Sequence, residues 1–202
     1  MTLSNYDVSR ETLDDLGHYV DLIVKWNPKI NLVSRSTLAD IWSRHIEDSL
    51  QVYYHARPIN CQWLDIGSGG GLPGLVIAIL AKHEDQGVSV TLMESDQRKS
   101  VFLRTVIREL SLPAKVVTDR IELAEPVKAD ILSARALADL SMLMDFSERH
   151  LSQDGYALFQ KGKNWQSEVQ AAQESWQFEF EVFKSITDED AVVLKIGGIS
   201  RA

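Results

Sequence analysis

The sequence predicts an α/β protein with a mostly parallel sheet covered by helices on both faces, a C-terminal antiparallel hairpin and a small N-terminal helical extension. Three observations lead there. From about residue 62 onward, strand-length apolar runs alternate with helix-length segments, the pattern of right-handed crossovers in a parallel sheet. A glycine cluster, Gly67-Ser68-Gly69-Gly70-Gly71, separates the first of those strands from a helix. The last two apolar runs are joined by a polar turn with no helix between them, which is hairpin chemistry.

Taken in order, Ser9 caps a first helix on which Leu13, Leu16, Val20 and Ile23 recur at helical spacing, and Asn27-Pro28 reads as its end. A second helix is expected over 36–54, stopped near Pro58. Residues 62–66 read as a strand and 73–82 as a helix, with Pro73 in a first turn where its missing N–H costs nothing. Strand 88–93 and helix 96–110 follow, then short strands at 115–118 and 130–134 and a helix through His150. Residues 155–160 are a strand and 163–175 a helix, and 178–183 with 191–196 form the hairpin. The organisation expected is a helical extension over 1–58 and one compact α/β unit over 59–202. Ligands of such sheets bind beyond the carboxyl ends of the parallel strands.

A chain of 202 residues fits one domain with a short appendage. No apolar run approaches the roughly 20 residues that span a bilayer. The N-terminal stretch carries Asp7, Glu11, Asp14 and Asp15 and lacks the pattern of a signal peptide. A lone cysteine, Cys61, excludes an internal disulfide framework and a Cys-rich metal site; it is read as a buried structural residue. His18, His45, His55, His83 and His150 show no ligand spacing, so no metal is expected. A cytoplasmic protein follows from these readings. The net charge of −8 argues against a general nucleic-acid binder but leaves room for a local basic face. Arg98, Lys99, Arg104 and Arg108 share one helical segment, and Lys161-Gly162-Lys163 is a second patch; each alone reads first as a solvated surface. The five tryptophans, Trp26, Trp42, Trp63, Trp165 and Trp176, read as packing residues.

The glycine cluster marks a small-molecule cofactor site, because glycine admits φ > 0 and lets a ligand lie against the backbone. It has two registers. Gly69-x-Gly71-x-x-Gly74 fits a dinucleotide fingerprint, and Gly67-x-Gly69-x-Gly71 fits the loop that binds S-adenosylmethionine (SAM). Asp65, two residues before the first glycine, repels a pyrophosphate and attracts the ammonium of a methionine moiety, directly or through water. Glu94 ends the second strand, where an acid binds the ribose hydroxyls of an adenosine in either cofactor class. The pair Asp65 and Glu94 favours SAM over NAD. A small-molecule SAM methyltransferase and, more distantly, an NAD-binding oxidoreductase stay open from the residues alone.

Beyond the loop, Asn31-Leu32, Arg44-His45-Ile46-Glu47-Asp48-Ser49-Leu50, and Leu64-Asp65-Ile66-Gly67-Ser68-Gly69-Gly70-Gly71-Leu72-Pro73-Gly74 stand in order along the chain. Glu94-Ser95, Lys99-Ser100-Val101-Phe102-Leu103-Arg104, Arg120-Ile121-Glu122, Ser133-Ala134-Arg135-Ala136 and Lys161-Gly162 follow. With these blocks the chain resembles the bacterial 16S rRNA guanine-N7 methyltransferase family, the glucose-inhibited division protein B family, over nearly its whole length. The resemblance implies a class I, Rossmann-like SAM-dependent sheet and methyl transfer to guanine N7 in a 16S rRNA hairpin near the decoding centre. A monomer is expected, with no DNA or membrane partner; at a net charge of −8 its basic rim needs phosphates held in a fixed fold, so the partner expected is 16S rRNA in a small ribosomal subunit particle. The resemblance also implies that Gly67 and Leu72 line the cofactor, that Ile121 and Glu122 flank the adenine, and that Arg135 sits beside cofactor and target base. Relatives often carry Ser-Arg-Ala-Phe where this chain has Ala134-Arg135-Ala136-Leu137. If that aromatic stacks on the base, base placement here is achieved otherwise.

Guanine N7 has a free lone pair and no proton, so its methylation needs placement and dryness rather than a general base. The sequence agrees. It has no Asn/Asp-Pro-Pro-aromatic motif for exocyclic amines, and Cys61 precedes the first strand, badly placed for the nucleophile that cytosine C5 chemistry needs. Arg135 is the candidate catalytic residue, in a positioning role. The cofactor candidates are Asp65, Gly67, Gly69, Gly71, Leu72, Glu94, Ile121, Glu122 and Arg135. In the block around His45, helical spacing makes Arg44–Asp48 and His45–Asp48 neighbours; either the His45–Asp48 pair locks this helix over the sheet, or His45 and Arg44 border the SAM pocket or contact RNA phosphate. Lys161 and Lys163 follow a strand and fall on its carboxyl rim; with Arg35, Arg44 and His45 they are the RNA-facing candidates.

Overall fold

The structure, a computed structural model, describes residues 6–84 and 87–202; the first five residues of the expected extension lie outside the described residues. Ser9 opens the first helix by accepting the Thr12 backbone N–H (3.1 Å), which satisfies one orphan donor of the first turn. That helix, α1 (Arg10–Ile30), buries Leu16, Tyr19, Val20 and Ile23. Asn27-Pro28 does not end it. A proline in the last turn forfeits a single backbone bond, and the chain leaves instead at Asn31, in the left-handed region at φ 51°, with its N–H on the Asn27 carbonyl. Buried Asn27 then accepts the Val33 N–H on its side chain and steers the exit (2.9 Å).

The helix expected over 36–54 is three pieces: a 3₁₀ turn (Arg35–Thr37), a π-helical turn (Trp42–Glu47) and α2 (Asp48–Ala56). Apolar periodicity reports a helical face but not which carbonyl each N–H chooses, so a π turn is invisible to it; such turns concentrate at functional sites. Arg57, at φ 50°, closes α2 just before Pro58.

The strands are β1 (Gln62–Ile66), β2 (Ser89–Met93), β3 (Ala114–Val117), β4 (Ala129–Arg135), β5 (Leu151–Lys161), β6 (Trp176–Lys184) and β7 (Val192–Arg201). They form one sheet in the order β3-β2-β1-β4-β5-β7-β6. The first five are parallel and β6–β7 form an antiparallel hairpin, as the sequence predicts; the fold adds that β7 inserts antiparallel between β5 and β6. The helices between them are α3 (Gly74–Glu84), α4 (Gln97–Leu110), α5 (Leu140–His150) and α6 (Trp165–Ala172). Pro73 lies just ahead of α3 rather than inside it, and α6 is shorter than the expected 163–175.

Alternation along β1 sends Trp63 to one face and Leu64 and Ile66 to the other. On the first face α1 and α2 share a single core with α3, α4 and the sheet: Tyr19, Ile23 and Leu50 pack with Trp63, Leu75 and Phe102. The extension therefore has no core of its own among the described residues. Helix α3 is buried from Gly74 through Ala81 because it is enclosed by these elements and the sheet. Trp63 and Trp176 are buried, and Trp26, Trp42 and Trp165 pack against the cores. Cys61 is half-buried rather than buried, and burial pushes its thiol up to about 11. Among the described residues no helix is long and apolar enough to cross a membrane.

Candidate active site

Strand order reverses between β1 and β4, and the crevice at the carboxyl ends of those strands is where an open parallel sheet binds ligands. The glycine loop leaves β1 there. Gly67, Gly69 and Gly71 all take positive φ (63°, 54° and 91°), a conformation closed to most side chains. A Cβ at Gly67 would lie 2.6 Å from Leu137 Cδ1. The Tyr19 hydroxyl of α1 donates to the Gly70 carbonyl (2.6 Å), and the Gly69 N–H donates to Glu94 Oε2 (2.8 Å). The loop is thus held from both sides, which offsets part of the flexibility its glycines carry.

Asp65 lies beneath the loop, 1% exposed. Its Oδ1 accepts the Ser133 hydroxyl (2.7 Å), which in turn accepts Trp63 Nε1–H (2.9 Å). Its Oδ2 faces the Gly74 backbone at the start of α3 without closing a well-formed hydrogen bond. Burial, only partly countered by these neighbours, pushes its carboxyl up to about 6.

One cleft, of about 390 Å³, opens over this loop. Gly67, Gly69, Glu94, Ile121 and Glu122, the candidates from the sequence, line it together with Met93, Ser95, Lys99, Asp119, Leu137 and Phe146. Glu94 also accepts the Asp96 N–H (2.8 Å); each carboxylate oxygen holds one backbone bond and keeps a lone pair. The turn carrying Ile121 is pinned from α5, where His150 Nε2 bonds the Ile121 carbonyl (2.8 Å) and the Arg149 guanidinium donates to the Ala124 carbonyl. Sequence reasoning missed Lys99 and Asp119 as lining residues; the signal that could have found them was position, in the first turn of α4 and just past β3. Gly71 and Leu72 are not on the wall. Gly71 abuts Leu75, and Leu72 is buried in the core, so both shape the loop from behind.

A second cleft, of about 470 Å³, lies between the extension and the ends of β4, β5 and the β6–β7 turn. Arg44, His45, Asp48, Arg135, Gln160, Lys161, Thr187 and Asp188 are on its wall. Arg135 therefore faces this cleft and not the first. Ala136, at φ 51°, belongs to both, so the two clefts meet there. Leu137, which closes the Ala134-Arg135-Ala136-Leu137 stretch, lies on the first cleft and covers Gly67 rather than facing the second cleft.

Tertiary structure re-pairs the predicted cluster. Arg135 Nη1 donates to His45 Nδ1 (3.0 Å) and to Asp48 Oδ2 (3.3 Å). Burial first, then the charges of Arg135 and Arg44, hold the His45 imidazole down at about 4. Arg44 pairs with Asp188 across the cleft mouth (3.3 Å), not with Asp48. Lys161 is no exposed rim charge. It is 9% exposed, bonds the Ala138 carbonyl (2.9 Å) and pairs with Glu168 (2.5 Å). Lys163 and Arg35 are exposed and lie off the cleft wall. In the basic helix, Arg98 returns to Asp96 and Arg104 to Thr118. Among the described residues no group of His, Cys, Asp and Glu is placed to hold a metal ion.

The first cleft fits SAM by its own chemistry: glycine backbone free of Cβ atoms, an acid with spare acceptors for ribose, and an apolar wall of Met93, Ile121, Leu137 and Phe146 for an adenine. A mostly parallel sheet of this order, with β7 antiparallel and that cleft at its reversal point, belongs to the class of SAM-dependent methyltransferases. A TehB-like SAM-dependent methyltransferase from Corynebacterium glutamicum superposes with a TM-score of 0.59 at 16% identity, covering 90% of this chain and 98% of its own. A SAM-dependent methyltransferase from Aquifex aeolicus does so with a TM-score of 0.60 at 11% identity, covering 88% and 97%. The chain belongs to the rRNA small subunit methyltransferase G (GidB) family, whose model matches residues 12–192. The ribosomal RNA small subunit methyltransferase G of Ruegeria sp. strain TM1040 is 52% identical over 195 residues, 96% of this chain and 95% of its own. That of Paracoccus denitrificans is 50% identical over 196 residues, 96% and 99%.

Proposed function

We propose that this enzyme transfers the methyl group of SAM to N7 of a guanine in 16S rRNA, in the decoding-region hairpin. The observation that carries the reading is the meeting of two clefts at Ala136, one built for SAM and one walled by Arg44, His45 and Arg135. The substrate class comes from the family, whose members bear the name of small-subunit rRNA methyltransferases.

SAM, when bound, supplies an electrophilic sulfonium methyl. Gly67 and Gly69 admit the cofactor to the backbone, Glu94 accepts its ribose hydroxyls, and Ile121 and Glu122 flank its adenine. Asp65 acts from below: its carboxylate takes the Ser133 hydroxyl and its backbone carbonyl the Ser68 hydroxyl, so that the loop keeps its shape. On the acceptor side no residue has to remove a proton from N7. His45 is unsuited to it, held neutral with one ring nitrogen on Arg135 and the other on Thr37. Arg135 orients the guanine through its planar fork. Arg35, Arg44 and Lys163 meet phosphates held in a fixed fold, and Lys161 supports the 136–138 segment through Ala138. On an acidic protein this short basic edge favours structured RNA over free hairpins. The reading extends to a monomer working in the cytoplasm on a small-subunit particle.

The test is a map of N7-methylguanosine in 16S rRNA from cells with and without the gene. One modification disappearing with the gene is expected, and an unchanged map refutes the proposal. In vitro, Arg135→Lys keeps the charge and loses the fork, so turnover on small-subunit particles falls while particle binding changes little; full activity would show that charge alone matters there.

A further inference from the structure

We propose that Asp48 is the positioning residue of the acceptor cleft, fixing the Arg135 guanidinium against β5 and the β6–β7 turn. This rests on the reading that Arg135 meets the acceptor base. The Asp48 carboxylate gathers donors from four places in the chain. Oδ2 accepts Arg135 Nη1 from the end of β4 (3.3 Å) and Gln160 Nε2 from β5 (2.6 Å). Oδ1 accepts Gln51 Nε2 from α2 (2.8 Å) and the Thr187 hydroxyl from the β6–β7 turn (3.1 Å). Gln160 Nε2 also reaches the Asp48 backbone carbonyl (3.0 Å).

Four donors saturate a carboxylate, which offers about four lone-pair sites. Asp48 therefore has nothing left with which to bind substrate, and its effect passes through its partners. Of the Arg135 nitrogens, Nη1 alone engages protein acceptors among the described residues. The Asp48–His45 pair grips one corner of the fork and leaves Nε and Nη2 directed by that grip. Both charged side chains are less than one-fifth exposed (19% and 17%), so solvent screens the contact weakly. The π turn ending at Glu47 hands the chain straight to Asp48. The extension thus acts on the site through this carboxylate as well as by covering the sheet.

Asp48→Asn keeps the size but, whichever way it turns, points an amide donor at another donor: Arg135 Nη1 and Gln160 Nε2 on one side, Gln51 Nε2 on the other. Turnover on small-subunit particles should fall on the order of 10- to 100-fold, the scale for a misplaced positioning group, with the KM for SAM unchanged because Asp48 is off the cofactor cleft. The decisive comparison is a cycle with Arg135→Gln. If Asp48 works through Arg135, adding Asp48→Asn to Arg135→Gln costs less than about threefold, since coupled residues are non-additive; a full additive loss overturns the proposal, as does wild-type turnover in Asp48→Asn alone. Should Asp48→Asn fail to fold, Thr187→Val removes one anchor, and turnover should drop roughly two- to tenfold, the equivalent of one hydrogen bond; no drop overturns the proposal. Nitrogen-detected NMR of the Arg135 guanidinium stands apart from activity. A hindered Nη1 signal in the wild type, lost when an anchor is removed, supports the grip even if the methylated base proves to be another, and a signal freely averaged in the wild type overturns it.

Discussion

Nδ1 of His45 and Nη1 of Arg135 lie 3.0 Å apart, and this contact assigns the imidazole tautomer. A guanidinium only donates, so Nδ1 carries no proton and accepts. Nε2 then bears the hydrogen and donates to the Thr37 hydroxyl (2.7 Å), which passes its own to the Ser34 carbonyl (3.0 Å). The chain of donors runs one way, from the sheet outward through the extension.

That relay makes His45 a neutral residue at physiological pH. Burial, with the charges of Arg135 and Arg44, puts its folded value near 4, below the ordinary imidazole value. A depressed folded value means that protonation favours the unfolded chain. The stabilising contribution is complete above about 6.5 and is lost as pH falls through about 4. Imidazole NMR should show His45 flat from pH 8 to about 5.5; a midpoint near the free value would break the relay.

Asp65 has the opposite sign. Its folded value is raised to about 6 by burial, so the folded protein holds that proton more tightly than the unfolded chain. Its contribution is present below the ordinary carboxylate value and is lost as pH rises through about 6. Asp65→Asn should remove a stability slope worth about 2–3 kcal/mol between pH 4 and 7. Denaturant titrations at the two pH values decide it, and an unaltered slope would locate the titration elsewhere.

Glu94 holds the glycine loop through Gly69 and the turn before α4 through Asp96. In Glu94→Gln one of those N–H groups faces an amide donor. SAM affinity by calorimetry should weaken by about 1–3 kcal/mol. Wild-type affinity would mean the ribose does not rest on this acid.

Lys161 and Lys163 separate structure from substrate. Lys161→Met strips Glu168 and the Ala138 carbonyl of a nearly buried partner, and stability should fall by about 2–3 kcal/mol. Exposed Lys163→Glu should leave the melting temperature alone, raise the KM for small-subunit particles and flatten its salt dependence by about one ion. Equal effects of the two on melting would contradict the burial difference.

The order of strands and helices, the capping of α1 by Ser9 and the cleft wall of Gly67, Gly69 and Glu94 were legible in the sequence. Each depends on local rules: alternation, capping and the left-handed conformations that glycine permits. Local rules also misread two places. Pro28 passes as a stop signal because its ring forbids a mid-helix position, yet the last turn tolerates it. The stretch 36–54 looks like one helix because its apolar spacing does not register a change of backbone partner at residues 42–47.

The pairing of charges belongs to the tertiary structure. Spacing along a helix offers Asp48 to Arg44, four residues away, but the fold gives Asp48 to Arg135, Arg44 to Asp188 and Lys161 to Glu168. A salt bridge is chosen by distance and by how much solvent screens it, and partners 87 or 144 positions apart in the chain meet only once the sheet is built. The sequence by itself determined which residue types stand at the carboxyl ends of the strands. Only the folded chain decided which of them face a cleft and which, like Asp65 and Lys161, are drawn beneath it, because burial is a property of the surrounding layers rather than of the residue.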